Sequence, residues 1–347
     1  MSSATTGVYH RSYRADLALR HTWLEHGRLG LVLAAVVVAP FLVSAYWLHV
    51  LCEIGIAAIG AIGLNILTGY TGQISLGQAG FLAVGGYTAG LISIRTSLPP
   101  LAGIALAAVV SAAVGAFFGL PALRLKGLYL AIATLASQVI ITWTILHWSF
   151  LGAGAPLVLT DPTSVFGWTI VGDRQWFWVI SGFAALAAIV ATNLFRTGVG
   201  RAFVAIRDQD VAAEAIGVNT GLYKLLAFAL SSAFAGVAGA LLAYWDTVLT
   251  FERYTFGISI AYLAMIIIGG LGSVSGSIYG AIFVIALPAW LTQLSNQVGF
   301  ITERKVPAIQ SVIFGLSIVL FLVFEPKGLA RIWSRTKDYL RLWPFRY

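Results

Sequence analysis

Residues 101–122 read LAGIALAAVVSAAVGAFFGLPA, with no ionisable side chain, and nine other stretches of the chain approach the same pattern. A bilayer-spanning helix needs about 20 consecutive apolar residues. Segments of that kind fall near 29–48, 53–68, 76–94, 101–122, 127–147, 176–194, 222–244, 258–271, 277–294 and 307–324. Ten such spans consume roughly 200 residues, most of a 347-residue chain in which 59% of residues are hydrophobic and 10% charged. An ordinary soluble domain carries about 25% charged residues. With so few, a water-soluble surface would be one continuous apolar patch. These features exclude a soluble enzyme, a soluble nucleic-acid binder and a disordered chain. The expected fold is an all-α integral membrane protein of about ten transmembrane helices.

The charge is unevenly placed. Lys and Arg number 21 against 13 Asp and Glu. Cations gather in four groups: Arg11, Arg14, Arg20 and Arg28; Arg124 and Lys126; Arg196, Arg201, Arg207 and Lys224; and Lys327, Arg331, Arg335, Lys337, Arg341 and Arg346. In a ten-span arrangement all four lie on one side, which the positive-inside rule assigns to the cytoplasm. The expected organisation is a cytoplasmic arm at 1–28, a membrane domain at 29–324 with a cytoplasmic loop at about 197–221, and a basic cytoplasmic tail at 325–347. Arg304 and Lys305 fit this pattern least well. Trp143, Trp148, Trp168, Trp176 and Trp178 flank the longest outside loop, about 148–175, where indoles suit the headgroup layer. No cleavable signal segment is expected, because the first 28 residues are polar and mixed.

Two glycine-rich breaks interrupt the apolar pattern: GYTGQISLGQAG at 69–80 and GGLGSVSG at 269–276. Each reads either as a tight connection or as an irregular segment inside the membrane, which must then be buried in protein or line a cavity. The first is crowded with uncharged hydrogen-bonding side chains, and transporters often set substrate sites at broken helices. The candidate substrate-path residues are Asn65, Thr68, Gln73, Ser75 and Gln78 in the first break, with Ser273 and Ser275 in the second. Thr71 belongs to the same polar set.

The chain lacks a G-x-x-x-x-G-K-[ST] phosphate loop, and its spans hold almost no ionisable groups for an ion relay. Neither the five histidines nor the lone Cys52 offers a metal-ligand spacing. Transport energy must therefore come from elsewhere. The candidate point of entry is the loop TGVGRAFVAIRDQDVAAEAIGVNTGLYK, Thr197 to Lys224. It predicts one helix from about Arg201 to Gly217, with an apolar stripe of Phe203, Ile206, Val211 and Ile216. Such a helix either lies on lipid or docks into a groove on a soluble partner. Its candidate coupling residues are Arg201, Arg207, Asp210, Glu214 and Gly217.

LTGYTGQISLGQAGFLAVGGYTAG at 67–90, LRLKGLYLAIATLA at 123–136, GRAFVAIRDQDVAAEAIGVN at 200–219, IIIGGLGSVSGSIYGAIFV at 266–284 and FEPKGLARI at 324–332 together resemble the LivM family, the permease subunits of branched-chain amino acid ABC transporters. Glu214-Ala215 and Gly217 look like a degenerate E-A-A…G motif of importer permeases. The resemblance implies a multi-pass permease in a bacterial cell membrane, not an enzyme, with both termini cytoplasmic. It implies a second related permease subunit, two cytoplasmic ATPases that bind the ATP, an extracytoplasmic substrate-binding protein, and no nucleic acid. It implies no cofactor or metal for this chain. One departure is LGAGAPLVL at 151–159, where the family commonly carries T-G-G…G-L. Permeases for urea, short amides and aromatic acids share the scaffold, so the substrate stays open among these, with amino acids leading. An autonomous secondary carrier or channel is the alternative of a different class.

Overall fold

A computed structural model describes residues 34, 36–96, 98–151, 154–159, 164–165, 168–170, 172–298, 312–313, 315–316, 318–320, 323 and 328–342. The expected arm at 1–28, Arg304, Lys305, Lys327, Arg346 and most of the expected span at 307–324 lie outside these residues. The described chain is almost wholly helical. Its longer helices are α1 (Ala45–Asn65), α2 (Gln78–Arg95), α3 (Pro100–Gly119), α4 (Leu128–His147) and α5 (Asp173–Arg196). The basic loop forms two short helices, α6 (Gly198–Asp208) and α7 (Asp210–Ala215). There follow α8 (Thr220–Asp246), α9 (Phe256–Gly269), α10 (Val274–Val298) and α11 (Gly328–Leu342). Four strands of two residues pair as antiparallel ladders: β1 (Leu157–Val158) with β4 (Val248–Leu249), and β2 (Ser164–Val165) with β3 (Trp168–Thr169).

Among the described residues, six helices are long and apolar enough to cross a membrane. α9, with 14 residues, is shorter. At 1.5 Å per residue it spans about 21 Å, less than the hydrocarbon core. The reason is local: the second glycine break ends it at Gly270, whose φ is 123°.

α1 and α8 form the centre. α1 is apolar on every side, the pattern of an enclosed helix; it packs against α5, α8, α9 and α10 and is buried along most of its length. α8 packs on α2 and α3. That approach depends on missing side chains, because a Cβ on Gly85 would overlap the Gly236 backbone. In lipid, where apolar burial does not draw helices together, such close backbone contact supplies the packing. α3 begins on Pro100 at its first turn and gives way to a 3₁₀ turn, Leu120–Leu123, that contains Pro121. Trp143, Trp148 and Trp178 are exposed as an interfacial belt requires, whereas Trp176 is buried in the core.

Candidate functional site

The first glycine break starts where α1 changes pitch. Ile66–Tyr70 forms a π-helical turn, a geometry that concentrates at functional positions. The chain then doubles back through residues 72–77. At the start of α2, Gln78 donates from Nε2 to the Gly60 carbonyl at 2.9 Å. Gly60 lies about three turns before Tyr70 along α1. The retraced segment is irregular backbone inside the bundle, so its polar groups need protein partners. Several have them: Gln73 N–H donates to Leu67 O (3.1 Å), and Thr68 Oγ1 donates to Gln73 O (3.1 Å). Thr71 Oγ1 donates to Leu67 O.

Leu76 is held at both backbone atoms by α4. Its N–H donates to Thr134 Oγ1 at 2.9 Å. The Gln138 amide fits with its NH₂ toward Leu76 O (2.9 Å) and Ser259 Oγ (2.7 Å); its oxygen then accepts from Phe256 N–H (3.2 Å). Ser259 Oγ also accepts from Ala79 N–H at 2.9 Å. Thr134, Gln138 and Ser259 are therefore parts of the site that the motif reading did not select. Their signal was present as polar residues inside apolar spans, but nothing local says which break they serve.

Asn65, Thr68, Gln73, Ser75 and Gln78 are all buried, and Ser75 is fully so. Asn65 joins the two breaks. Its Nδ2 donates to Ser273 O (2.9 Å) and Ser277 Oγ (2.7 Å), and its Oδ1 accepts from Gly272 N–H (2.9 Å). Gly69 allows this approach, because a Cβ there would overlap Asn65 Oδ1 and Gly272 N. Ser273 and Ser275 pair through their hydroxyls at 3.1 Å, and Ser275 is exposed where Ser75 is not. The Gln73 amide is inaccessible and has no hydrogen-bond partner among the described residues.

The loop expected to form one helix from Arg201 to Gly217 is broken at Gln209, with φ −163° and ψ 110°. The expected stripe divides there. Phe203 and Ile206 on α6 are buried, while Val211 and Ile216 are 70% and 77% exposed. The stop at Gly217 holds: φ is 90°, Gly217 N–H donates to Glu214 O (3.0 Å), and Val218 N–H donates to Ala213 O (3.0 Å). This is the Schellman arrangement that closes α7. Asn219 caps α8 by accepting from Leu222 N–H at 3.0 Å. Arg201, Arg207, Glu214 and Gly217 are exposed and Asp210 is half-buried.

Asp210 Oδ2 accepts from Lys224 Nζ (2.6 Å) and Lys126 Nζ (2.9 Å). Burial alone would raise the Asp210 carboxyl; hydrogen bonds and charges from the two lysines outweigh it and hold the group below the usual carboxylate value. Arg207 pairs with Asp208 Oδ1 and donates from Nη1 to Gly69 O at 3.2 Å. A cleft of about 400 Å³ opens between Thr71–Gln73 on one side and Lys126, Arg207, Asp208, Asp210 and Lys224 on the other. An apolar groove of about 590 Å³ between α2, α3 and α4 contains none of the candidate residues.

The fold and site define an all-α membrane protein whose two glycine breaks meet beneath a polar surface segment. Residues 46–322 match the family described as "Branched-chain amino acid transport system / permease component", and the chain belongs to that family. It is 30% identical over 322 residues to the high-affinity branched-chain amino acid transport system permease protein LivM of Salmonella typhimurium, covering 86% of this chain and 73% of that one. The Escherichia coli LivM is 29% identical with the same coverage. The autoinducer 2 import system permease protein LsrC of Escherichia coli is 30% identical over 189 residues, 54% of this chain and 51% of its own. No solved structure matches. These relatives are transport permeases and not enzymes.

Proposed function

We propose that the chain is one permease subunit of an ATP-driven importer for branched-chain or other amino acids. The observation that carries this reading is the α6–α7 segment. It presents exposed Val211 and Ile216 at the end of the bundle where both glycine breaks meet, in a chain with no phosphate loop. A short helix with apolar anchors suits a groove on a soluble ATPase. Arg201, Glu214 and Gly217 frame that surface, while Arg207 and Asp210 hold it to the bundle.

The partners are a second related permease, two ATPases on the α6–α7 side and a substrate-binding protein on the other. The fold is completed by about ten spans, with residues 1–28 and 325–347 both in the cytoplasm of a bacterial cell and the breaks acting as re-entrant segments. The substrate path runs past the first break and Ser273 and Ser275. Neutral dipoles there suit a zwitterion that must be passed on and not retained. The names of the LivM relatives support branched-chain substrates.

The test uses Ile216→Cys in a Cys52→Ser background. In intact cells the new thiol should resist an impermeant reagent, and in membranes it should crosslink to the ATPase subunit. Labelling from outside contradicts both the topology and the docking.

A further inference from the structure

Energy conversion across this chain needs a continuous physical connection from the docking surface to the elements that move. Besides the buried Phe203 and Ile206, two polar anchors tie the α6–α7 segment to the rest of the bundle. Asp210 reaches Lys224 and Lys126, at the base of α8 and before α4. α8 is continuous from Thr220 to Asp246. The other anchor, Arg207, leads to the breaks.

The Arg207 guanidinium donates to the carbonyl of Gly69 at 3.2 Å. That carbonyl sits in the π-turn ending α1, where helix carbonyls lack internal partners and carry negative partial charge. The same arginine lies against the turn that follows: a Cβ at Gly72 would stand 3.4 Å from Arg207 Cα. It also reaches the second break, since a Cβ at Gly272 would meet Arg207 Nη1 at 3.2 Å. One side chain therefore touches both breaks at the point where Asn65 ties them together.

We propose that Arg207 is the pin through which displacement of the docked α7 surface is passed to both glycine breaks. This rests on the importer reading above. The planar fork matters, because Nη1 holds Gly69 O while Nε and Nη2 hold Asp208, and a lysine ammonium cannot present both sets of donors in fixed geometry. Arg207 is a positioning residue; nothing places it on substrate or nucleotide.

The experiment uses the assembled transporter in proteoliposomes, with its second permease, ATPases and leucine-loaded binding protein. The readout is ATP hydrolysed per leucine moved. Arg207→Gln should raise that ratio about tenfold or more, the factor that loss of one charge-assisted hydrogen bond supplies. Arg207→Lys should fall between Gln and wild type. Gly272→Ala keeps the arginine but strains a turn at φ 73° and crowds both Nη1 and Gly69 O, and should also raise the ratio. An assembled Arg207→Gln complex with the wild-type ratio overturns the pin and leaves the importer reading standing. Loss of assembly in both Arg207→Gln and Arg207→Lys gives the residue a folding role and overturns it too. A wild-type complex whose ATP hydrolysis ignores loaded binding protein overturns both readings.

Discussion

Replacing Asn65 with alanine removes three hydrogen bonds between the breaks in one step. The losses are unequal. Ser273 O retains Ser277 Oγ as a donor at 3.4 Å, so it keeps a partner. Gly272 N–H loses its acceptor in a site where Asn65 is 1% exposed. The orphaned Gly272 donor is only part-buried and falls at the low end of about 1–3 kcal/mol, and the other two lost bonds add about 1 kcal/mol each, so the sum is roughly 3–4 kcal/mol. In domains of 150–250 residues 1 kcal/mol shifts the midpoint by about 2–4 °C, which gives roughly 6–16 °C, and this longer chain belongs at the low end of that range. Ser277→Ala removes only one of the Asn65 bonds and should lower the midpoint by about a quarter as much. Thermal unfolding of the purified protein in detergent, followed by tryptophan fluorescence, reads both. If Asn65→Ala melts within about 1 °C of wild type, the junction between the breaks carries no weight and the hydrogen-bond argument fails.

Three further outcomes follow from the same geometry. Asp210→Asn strands the Lys224 side chain, only 8% exposed, at a cost of about 2 kcal/mol after allowance for the more exposed partners. Because the Asp210 carboxyl is held below its ordinary value, its contribution is full above about pH 4 and is lost as pH falls through the folded-state value. Paired melts of wild type and variant should therefore differ equally at pH 8 and pH 6, and a difference already gone at pH 6 refutes the assignment. Val211→Asp and Ile216→Asp, both at exposed sites, should change stability by less than about 0.5 kcal/mol yet weaken ATPase binding in a pull-down; unchanged binding removes the docking surface. Ser75→Trp should reduce folded yield, because the site is fully buried, whereas Ser275→Trp should fold and slow uptake; normal yield for the first means the break has more room than its packing shows.

Much of the helical frame was legible because its signal is local. The runs at 101–122, 127–147, 176–194 and 222–244 each fall on one helix within a few residues, since an apolar run without charges has few other solutions, whereas α1 starts at Ala45 and runs through the expected gap between 29–48 and 53–68. The stop at Gly217 was legible for the same reason. The break at Gln209 was not. Apolar spacing continued across it, and what turns the chain there is tertiary: Phe203 and Ile206 are drawn into the bundle while Lys126 and Lys224 hold Asp210. The site was half legible. Polar residues at 65–78 marked the first break, and a glycine- and serine-rich run at 269–276 marked the second. That Asn65 joins them depends on a pairing across more than two hundred residues, which no local pattern encodes. Trp176 shows the converse, an interfacial residue type placed in the core by the helix face it occupies.

In the proposed importer, transport through this chain is driven by nucleotide hydrolysis on partner subunits. The direct measurement is leucine uptake by proteoliposomes holding the complete assembly, with ATP on the α6–α7 side and binding protein on the other. Uptake should require ATP, persist when ionophores collapse every ion gradient, and vanish when the ATPases are omitted. Uptake by this chain alone, driven by an ion gradient without ATP, would contradict the account.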